Sequence, residues 1–196
     1  DGARQLRQYS LVGVPGDGEL KFAVRRVHAD DVAGLPAGEV SNKLCDDVRV
    51  GDDLEISLPA GDLVLDVDSD GPVVLVSAGI GATPMVGMLN YLAANDSQRQ
   101  VLSVHADRAE GVDVLGPERT AAVSALANGT EKTWYEPKFM DLSDNGGVEL
   151  PEDAQYYICG GNGFLQHVRD QLAERGVERS RIHFELFSPN DWLLDA

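Results

Sequence analysis

The sequence predicts a β plus α/β chain: a partial antiparallel barrel over residues 1–65, then a parallel-sheet α/β domain over residues 66–196. Three observations carry this expectation. Short stretches of alternating polar and apolar residues fill the first part; a continuous valine-rich run followed by helical spacing opens the second; and an acidic stretch ending in Gly71-Pro72 separates them.

Taken in order, residues 8–12, 20–27 and 53–58 alternate as strands do, and Gly16-Asp17-Gly18 supplies a turn between the first two. On the second stretch Leu20, Phe22 and Val24 share one face while Lys21, Ala23 and Arg25 share the other, the pattern of a half-solvated antiparallel sheet. Asp66-Val67-Asp68-Ser69-Asp70 marks the boundary. Beyond it Val73-Val74-Leu75-Val76 is apolar on both faces, as a buried parallel strand requires, and Met85, Met88, Leu89 and Leu92 then recur at helical spacing. A strand at 101–105, a helix at 117–127, strands at 132–135, 156–159 and 182–186, and a helix at 164–175 stopped by Gly176 complete the alternation. Strand and helix in turn imply a parallel sheet with helical cover.

A formal net charge of -17 excludes nucleic acid and anionic lipid surfaces as natural partners, because both repel such a chain. The acidity itself has two readings, a solvated surface or adaptation to high salt, which differ in the salt dependence they imply. No apolar run approaches the roughly 20 residues that span a bilayer. Cys45 and Cys159 are too few for a disulfide framework, and Cys45 is expected to pack. His28, His105, His167 and His183 show no ligand spacing, so no metal site is expected and each is read as structural. With no basic and apolar leader at Asp1, the expected location is cytoplasmic, with reduced thiols.

Two words carry chemistry. Gly79-Ile80-Gly81-Ala82-Thr83-Pro84 follows a buried strand and opens a helix: its glycines allow close backbone approach, Thr83 can cap, and Pro84 suits a first helical turn, so the free amides there would face an anion. An ordinary strand-to-helix turn reads the same residues without a ligand. Arg7-Gln8-Tyr9-Ser10 sets a guanidinium, a phenol and a hydroxyl on one strand; the fork suits a diphosphate, the ring can stack, and the hydroxyl can bond a ring nitrogen. An exposed edge strand is the alternative.

These words, with Gly38-Glu39-Val40-Ser41-Asn42, Pro59-Ala60-Gly61-Asp62, Tyr157-Ile158-Cys159-Gly160-Gly161 and Phe184-Glu185-Leu186-Phe187-Ser188-Pro189, follow one another in the order of the ferredoxin–NADP reductase superfamily. Over essentially its whole length the chain resembles the reductase part of flavohemoglobins. The resemblance implies that Arg7, Gln8, Tyr9 and Ser10 hold FAD, that Val40, Ser41 and Asn42 approach its pyrophosphate, and that Gly79, Ile80, Gly81, Ala82, Thr83 and Pro84 hold the diphosphate of NADH or NADPH. It implies further that Cys159 and Gly160 meet the nicotinamide, and that Glu185, Leu186, Phe187, Ser188 and Pro189 return to the flavin edge. Tyr9, Ser10, Cys159 and Glu185 are the catalytic candidates. Ser188 and Phe184 depart from the family's glycine and tyrosine.

Also implied are a haem-binding globin domain and the first flavin-domain strands ahead of Arg7, with haem confined to that domain. The activity implied is electron transfer from nicotinamide through flavin to haem in a nitric oxide dioxygenase. Two alternatives stay open: a reductase serving an oxygenase through an iron–sulfur protein, and a non-catalytic dinucleotide-binding fragment. Ala106-Asp107-Arg108-Ala109-Glu110 favours NADH, since a 2′-phosphate would meet carboxylates there.

Overall fold

In the computed structural model, which describes residues 5–30 and 34–187, a five-stranded parallel sheet organises the second part of the chain. Its strands are β1 (Val73–Ala78), β2 (Val101–Asp107), β3 (Gly129–Tyr135), β4 (Gln155–Gly160) and β5 (Ile182–Leu186), in the spatial order β3-β2-β1-β4-β5. Each neighbouring pair is parallel. An early helix, α1 (Glu39–Asp46), precedes the sheet, and α2 (Ala82–Ala94), α3 (Gly116–Ala125) and α4 (Asn162–Glu174) cover it.

Alternation decides which face each strand residue serves. Val73 and Leu75 pack with Met85, Leu89 and Leu92 of α2 and with Ala122 and Val123 of α3; Val74 and Val76 pack with Leu165, Val168 and Leu172 of α4. All four β1 residues are fully buried, and each aliphatic side chain so removed from water contributes about 1.5–3 kcal/mol. The expected elements of this part all form, most with ends shifted by a few residues. Gly176 stops α4, at φ +74, with Val177 N–H donating to the Leu172 carbonyl.

One part of this face is polar. Ser77, His105 and Thr133 lie in one register row across β1, β2 and β3, with Asp107 opposite Tyr135 beside them. Arg119 of α3, 1% exposed, reaches into the row: its guanidinium donates to both oxygens of Asp113 (3.1 and 2.8 Å), to Glu131 (2.5 Å) and to Thr133 (3.3 Å). Burial, then the Arg119 charge, push His105 down to about 4, so its imidazole is neutral near pH 7.

Before residue 66 the expected antiparallel part is present as bridges rather than as full strands. Among the described residues no strand forms at 8–12, 20–27 or 53–58; the antiparallel barrel is reduced to isolated bridges, Leu11 to Phe22 and Asp30 to Leu35. Val12 N–H still donates to the Lys21 carbonyl (2.9 Å), so the hairpin around Gly16 and Gly18 is kept as a trace. The physical reason is lack of partners: Leu20, Phe22, Leu54, Ile56 and Leu58 are exposed, and two strands without a third or a covered face do not hold a ladder. Cys45 is exposed rather than packed.

The first part is nevertheless attached. Asn90 of α2 donates to the Val12 carbonyl (2.7 Å), and Gly87 lacks a side chain where the Leu11 carbonyl lies against the helix. Arg99 donates to the carbonyls of Gly71 (2.6 Å) and Asp66 (2.8 Å), and Asp66 N–H donates to Tyr157 Oη (3.0 Å), so the acidic stretch is pinned to the sheet. No helix among the described residues is long and apolar enough to cross a membrane.

Candidate functional site

Open parallel sheets take ligands beyond the carboxyl ends of their strands, where the strand order reverses. Here that point lies between β1 and β4, with Ser77 opposite Cys159 in register. The glycine loop that follows β1 and the Cys159-Gly160-Gly161 turn that follows β4 therefore flank one crevice.

Gly79, at φ +52, takes a backbone conformation that a side chain resists, and Gly79–Gly81 form a 3-10 turn running into α2. The first amides of that turn have no intrahelical partner, and the helix dipole adds partial positive charge. Arg25 overhangs the loop: its Nη1 lies 3.8 Å from where a Cβ on Gly79 would sit. This start suits a diphosphate.

Two expectations change here. Thr83 does not cap; it sits inside the first turn of α2 and donates its hydroxyl to the Ile80 carbonyl (3.0 Å). Gly81 is bare because the Cys159 carbonyl and the Gly160 amide pack onto it, so its smallness serves helix-to-strand contact rather than an open approach. Ala82 and Pro84 are buried in the same turn, and Ile80 is half-buried at its rim.

Beyond β4 the next strand contributes. Glu185 pairs with Cys159 and Leu186 with Gly160 across β5 and β4, and Phe187 N–H donates to the Gly160 carbonyl (2.9 Å), with its ring against the core that holds Cys159. The structure thus joins Cys159, Gly160, Glu185, Leu186 and Phe187 at one edge. Cys159 is fully buried, and burial, then Glu185, hold its thiol protonated, so it can offer a neutral contact but no thiolate. Burial, then the Asp62 charge, raise the Glu185 carboxyl as well. Ser188 and Pro189 lie outside the described residues.

The other group of residues gathers near α1. Tyr9 is half-buried, its ring 5.6 Å from that of Phe22, and burial raises its phenol pKa while Arg7 lowers it. Arg7 and Gln8 are exposed and Ser10 is half-buried, with Arg7 donating to Gln5 Oε1 (3.2 Å) and the Leu6 carbonyl (2.6 Å). Val40, Ser41 and Asn42 occupy the first turn of α1. Ser41 Oγ accepts from Val27 N–H (3.2 Å), and Asn42 Nδ2 donates to the carbonyls of Val27 (2.9 Å) and Gly38 (2.7 Å). These side chains tie the helix to residues 26–27, which leaves the turn's backbone amides as its means of meeting a phosphate.

Sequence reading gives no role to Arg25 or Asn90, and none to the charge of Asp62 on Glu185. Arg25 looked like one of three solvent-face residues, and only its position over Gly79 separates it from Lys21 and Ala23.

Comparison with known proteins bears on the family and the fold. The oxidoreductase NAD-binding domain family matches residues 75–170. A flavohemoprotein of Bordetella pertussis is 40% identical over 201 residues, covering 95% of this chain and 49% of that protein. The chain spans about half the length of the curated relatives it matches. The crystal structure of the flavohem-like FAD/NAD-binding domain of nitric oxide dioxygenase from Vibrio cholerae O1 biovar El Tor superposes with a TM-score of 0.83 at 34% identity, covering 94% of this chain and 78% of that one. Phthalate dioxygenase reductase superposes with a TM-score of 0.72 at 25% identity, covering 92% and 53%.

Proposed function

Because this chain belongs to the flavohemoprotein family of FAD- and NAD-binding reductase domains, we propose that it passes electrons from a nicotinamide dinucleotide to FAD and, in the complete protein, onward to the haem of a globin domain. The observation that carries this reading is the crevice at the strand-order reversal, where the Gly79 turn, Gly160 and Glu185 converge. When bound, the two cofactors supply the redox chemistry, a two-electron transfer between their rings. The chain's own part is to bind and orient.

The amides of the Gly79 turn and Arg25 would hold the dinucleotide's diphosphate. Cys159 and Gly160, bare of charge and of bulk, would let the nicotinamide lie against the end of β4. Arg7, Tyr9 and Ser10, with the first turn of α1, would hold the flavin and its diphosphate, while Glu185 and Phe187 would face its edge and ring. Glu110, beyond β2, favours NADH over NADPH, because a 2′-phosphate there would meet a carboxylate. The free thiols Cys45 and Cys159 fit a reducing cytoplasm. The proposed activity of the whole protein is nitric oxide dioxygenation.

The test is to purify the chain with added FAD and follow NADH-dependent reduction of an artificial acceptor. A bound-flavin absorption band and turnover are expected, with Arg7→Ala losing flavin because a charge-assisted contact is worth roughly 1.5–3 kcal/mol. Dinucleotide binding without flavin and without turnover would instead favour a second reading, a binding fragment, to which the missing antiparallel ladder points.

A further inference from the structure

We infer that His105, Asp107 and Asp113 form a binding site for a divalent transition cation of the zinc class, separate from the diphosphate crevice. His105 and Asp107 stand two residues apart on β2 and so share a face, and the 3-10 turn Glu110–Val112 brings the chain back to set Asp113 over them. The His105 Nε2 lies 3.7 Å from Asp107 Oδ2 and 3.6 Å from Asp113 Oδ1, and the three donor atoms all fall within 4.8 Å of one another. These separations are too long for hydrogen bonds. They suit a shared ion, since a tetrahedral cation about 2.1 Å from each ligand sets its ligands about 3.4 Å apart.

The imidazole supplies the independent sign of a ligand. Its Nε2 is fully buried, has no hydrogen-bond partner, and points at the two carboxylates. Its Nδ1 is held by Ser77 Oγ at 2.8 Å, which fixes the ring as an outer-shell partner does. Both carboxylates are likewise oriented: Asp107 accepts from Arg108 N–H at Oδ1 (2.7 Å) and turns Oδ2 to the imidazole, while Asp113 accepts from Arg119 at Oδ1 (3.1 Å) and Oδ2 (2.8 Å) and from the Tyr135 hydroxyl at Oδ2 (3.1 Å).

Charge points the same way. Asp113 and Glu131 share a single guanidinium, Arg119, and Asp107 adds a third carboxylate beside His105, so a divalent cation balances the remainder. One neutral imidazole with two carboxylates suits zinc or manganese better than magnesium or calcium, which prefer all-oxygen shells. Asp107, 12% exposed where the other two are at most 2%, gives the entry side and room for a water ligand. Bound there, the ion would clamp the segment ahead of α3 to the end of β2.

The test uses the chain with Cys45→Ser, which removes the exposed thiol, stripped with chelator and titrated calorimetrically with Zn²⁺ in excess Mg²⁺ to mask surface carboxylates. Expected are one equivalent bound, a rise in melting temperature on loading, and a loss of about tenfold or more in affinity for Asp107→Asn, with the surface control Asp17→Asn unchanged. No saturable binding, or equal affinity in Asp107→Asn, overturns the site. Should Asp107→Asn not fold, X-ray absorption of the Zn²⁺-loaded chain decides: an imidazole signal within a nitrogen and oxygen shell at about 2.0–2.2 Å supports it, and its absence overturns it.

Discussion

Residues 5–65 and residues 73–187 carry equally clear strand patterns, yet among the described residues only the second region turns them into a sheet. Val73 to Val76 are buried on both faces, on one by α2, which follows them directly, with α3, and on the other by α4. Leu20, Phe22, Ile56 and Leu58 have the right alternation but no surface to cover them, and they stay exposed. A parallel βαβ layer brings its own cover, because each crossover helix packs on the strands it joins. A barrel strand depends on closure by distant strands, and a pattern without closure leaves only bridges.

The contrast can be broken most severely at the charged groups. Arg119→Met leaves Asp113 and Glu131 unpaired beneath α3 and is expected to cost about 3–5 kcal/mol in chemical denaturation. Arg26→Met, which removes the exposed pair with Asp46, is expected to leave the midpoint nearly unchanged. Equal losses would mean that the first region shares the cooperativity of the second. Apolar truncation asks the same question without charge. Leu75→Ala should cost about 2–5 kcal/mol, whereas Leu58→Ser, at a residue 87% exposed, should stay within about 0.5 kcal/mol.

The glycines of the crevice sharpen the comparison between folding and binding. Gly81→Val forces a side chain onto the Cys159 carbonyl and should destabilise by about 1–3 kcal/mol. Gly79→Ala meets open space except for Arg25, so its cost is the strained φ, about 1 kcal/mol. Steady-state kinetics should then find a raised Michaelis constant for NADH in the folded Gly79→Ala protein. An unchanged constant would move the diphosphate away from this turn.

The smallest effect is a titration. Burial, then Asp62, raise the Glu185 carboxyl, so the folded chain keeps its full stability below the ordinary glutamate range and loses some as the pH rises through the elevated value. Glu185→Gln should therefore be the more stable form at neutral pH and match the parent below about pH 4. The side chain is only half-buried and solvent screens it, so the gain should not exceed about 1 kcal/mol. Thermal melts of both proteins across this range provide the measurement, and parallel curves at every pH would contradict the assignment.

Much of the site was legible because its parts are local. Gly79 follows a valine strand and precedes helical spacing, and those three signals lie within one stretch of chain. The Cys159-Gly160-Gly161 turn is equally local. Thr83 was misread because a hydroxyl in a first helical turn can bond forward to an amide or back to a carbonyl, and only the placed backbone selects the carbonyl of Ile80. Gly81 was assigned the right importance for a different reason, since its close neighbour comes from a strand far along the chain.

The sequence alone determined the order of strands and helices after Gly71, the faces they bury, and the glycine turn at the end of β1, because periodicities of about 2 and 3.6 and the freedom of glycine act between near neighbours. Only the tertiary structure decided that Arg25 overhangs Gly79, that Glu185 lies beside Cys159, that His105, Asp107 and Asp113 meet around one buried nitrogen, and that the first region keeps bridges instead of a sheet. Each of these depends on contacts between residues far apart in the chain, where the geometry is set by packing and closure rather than by local conformational preference.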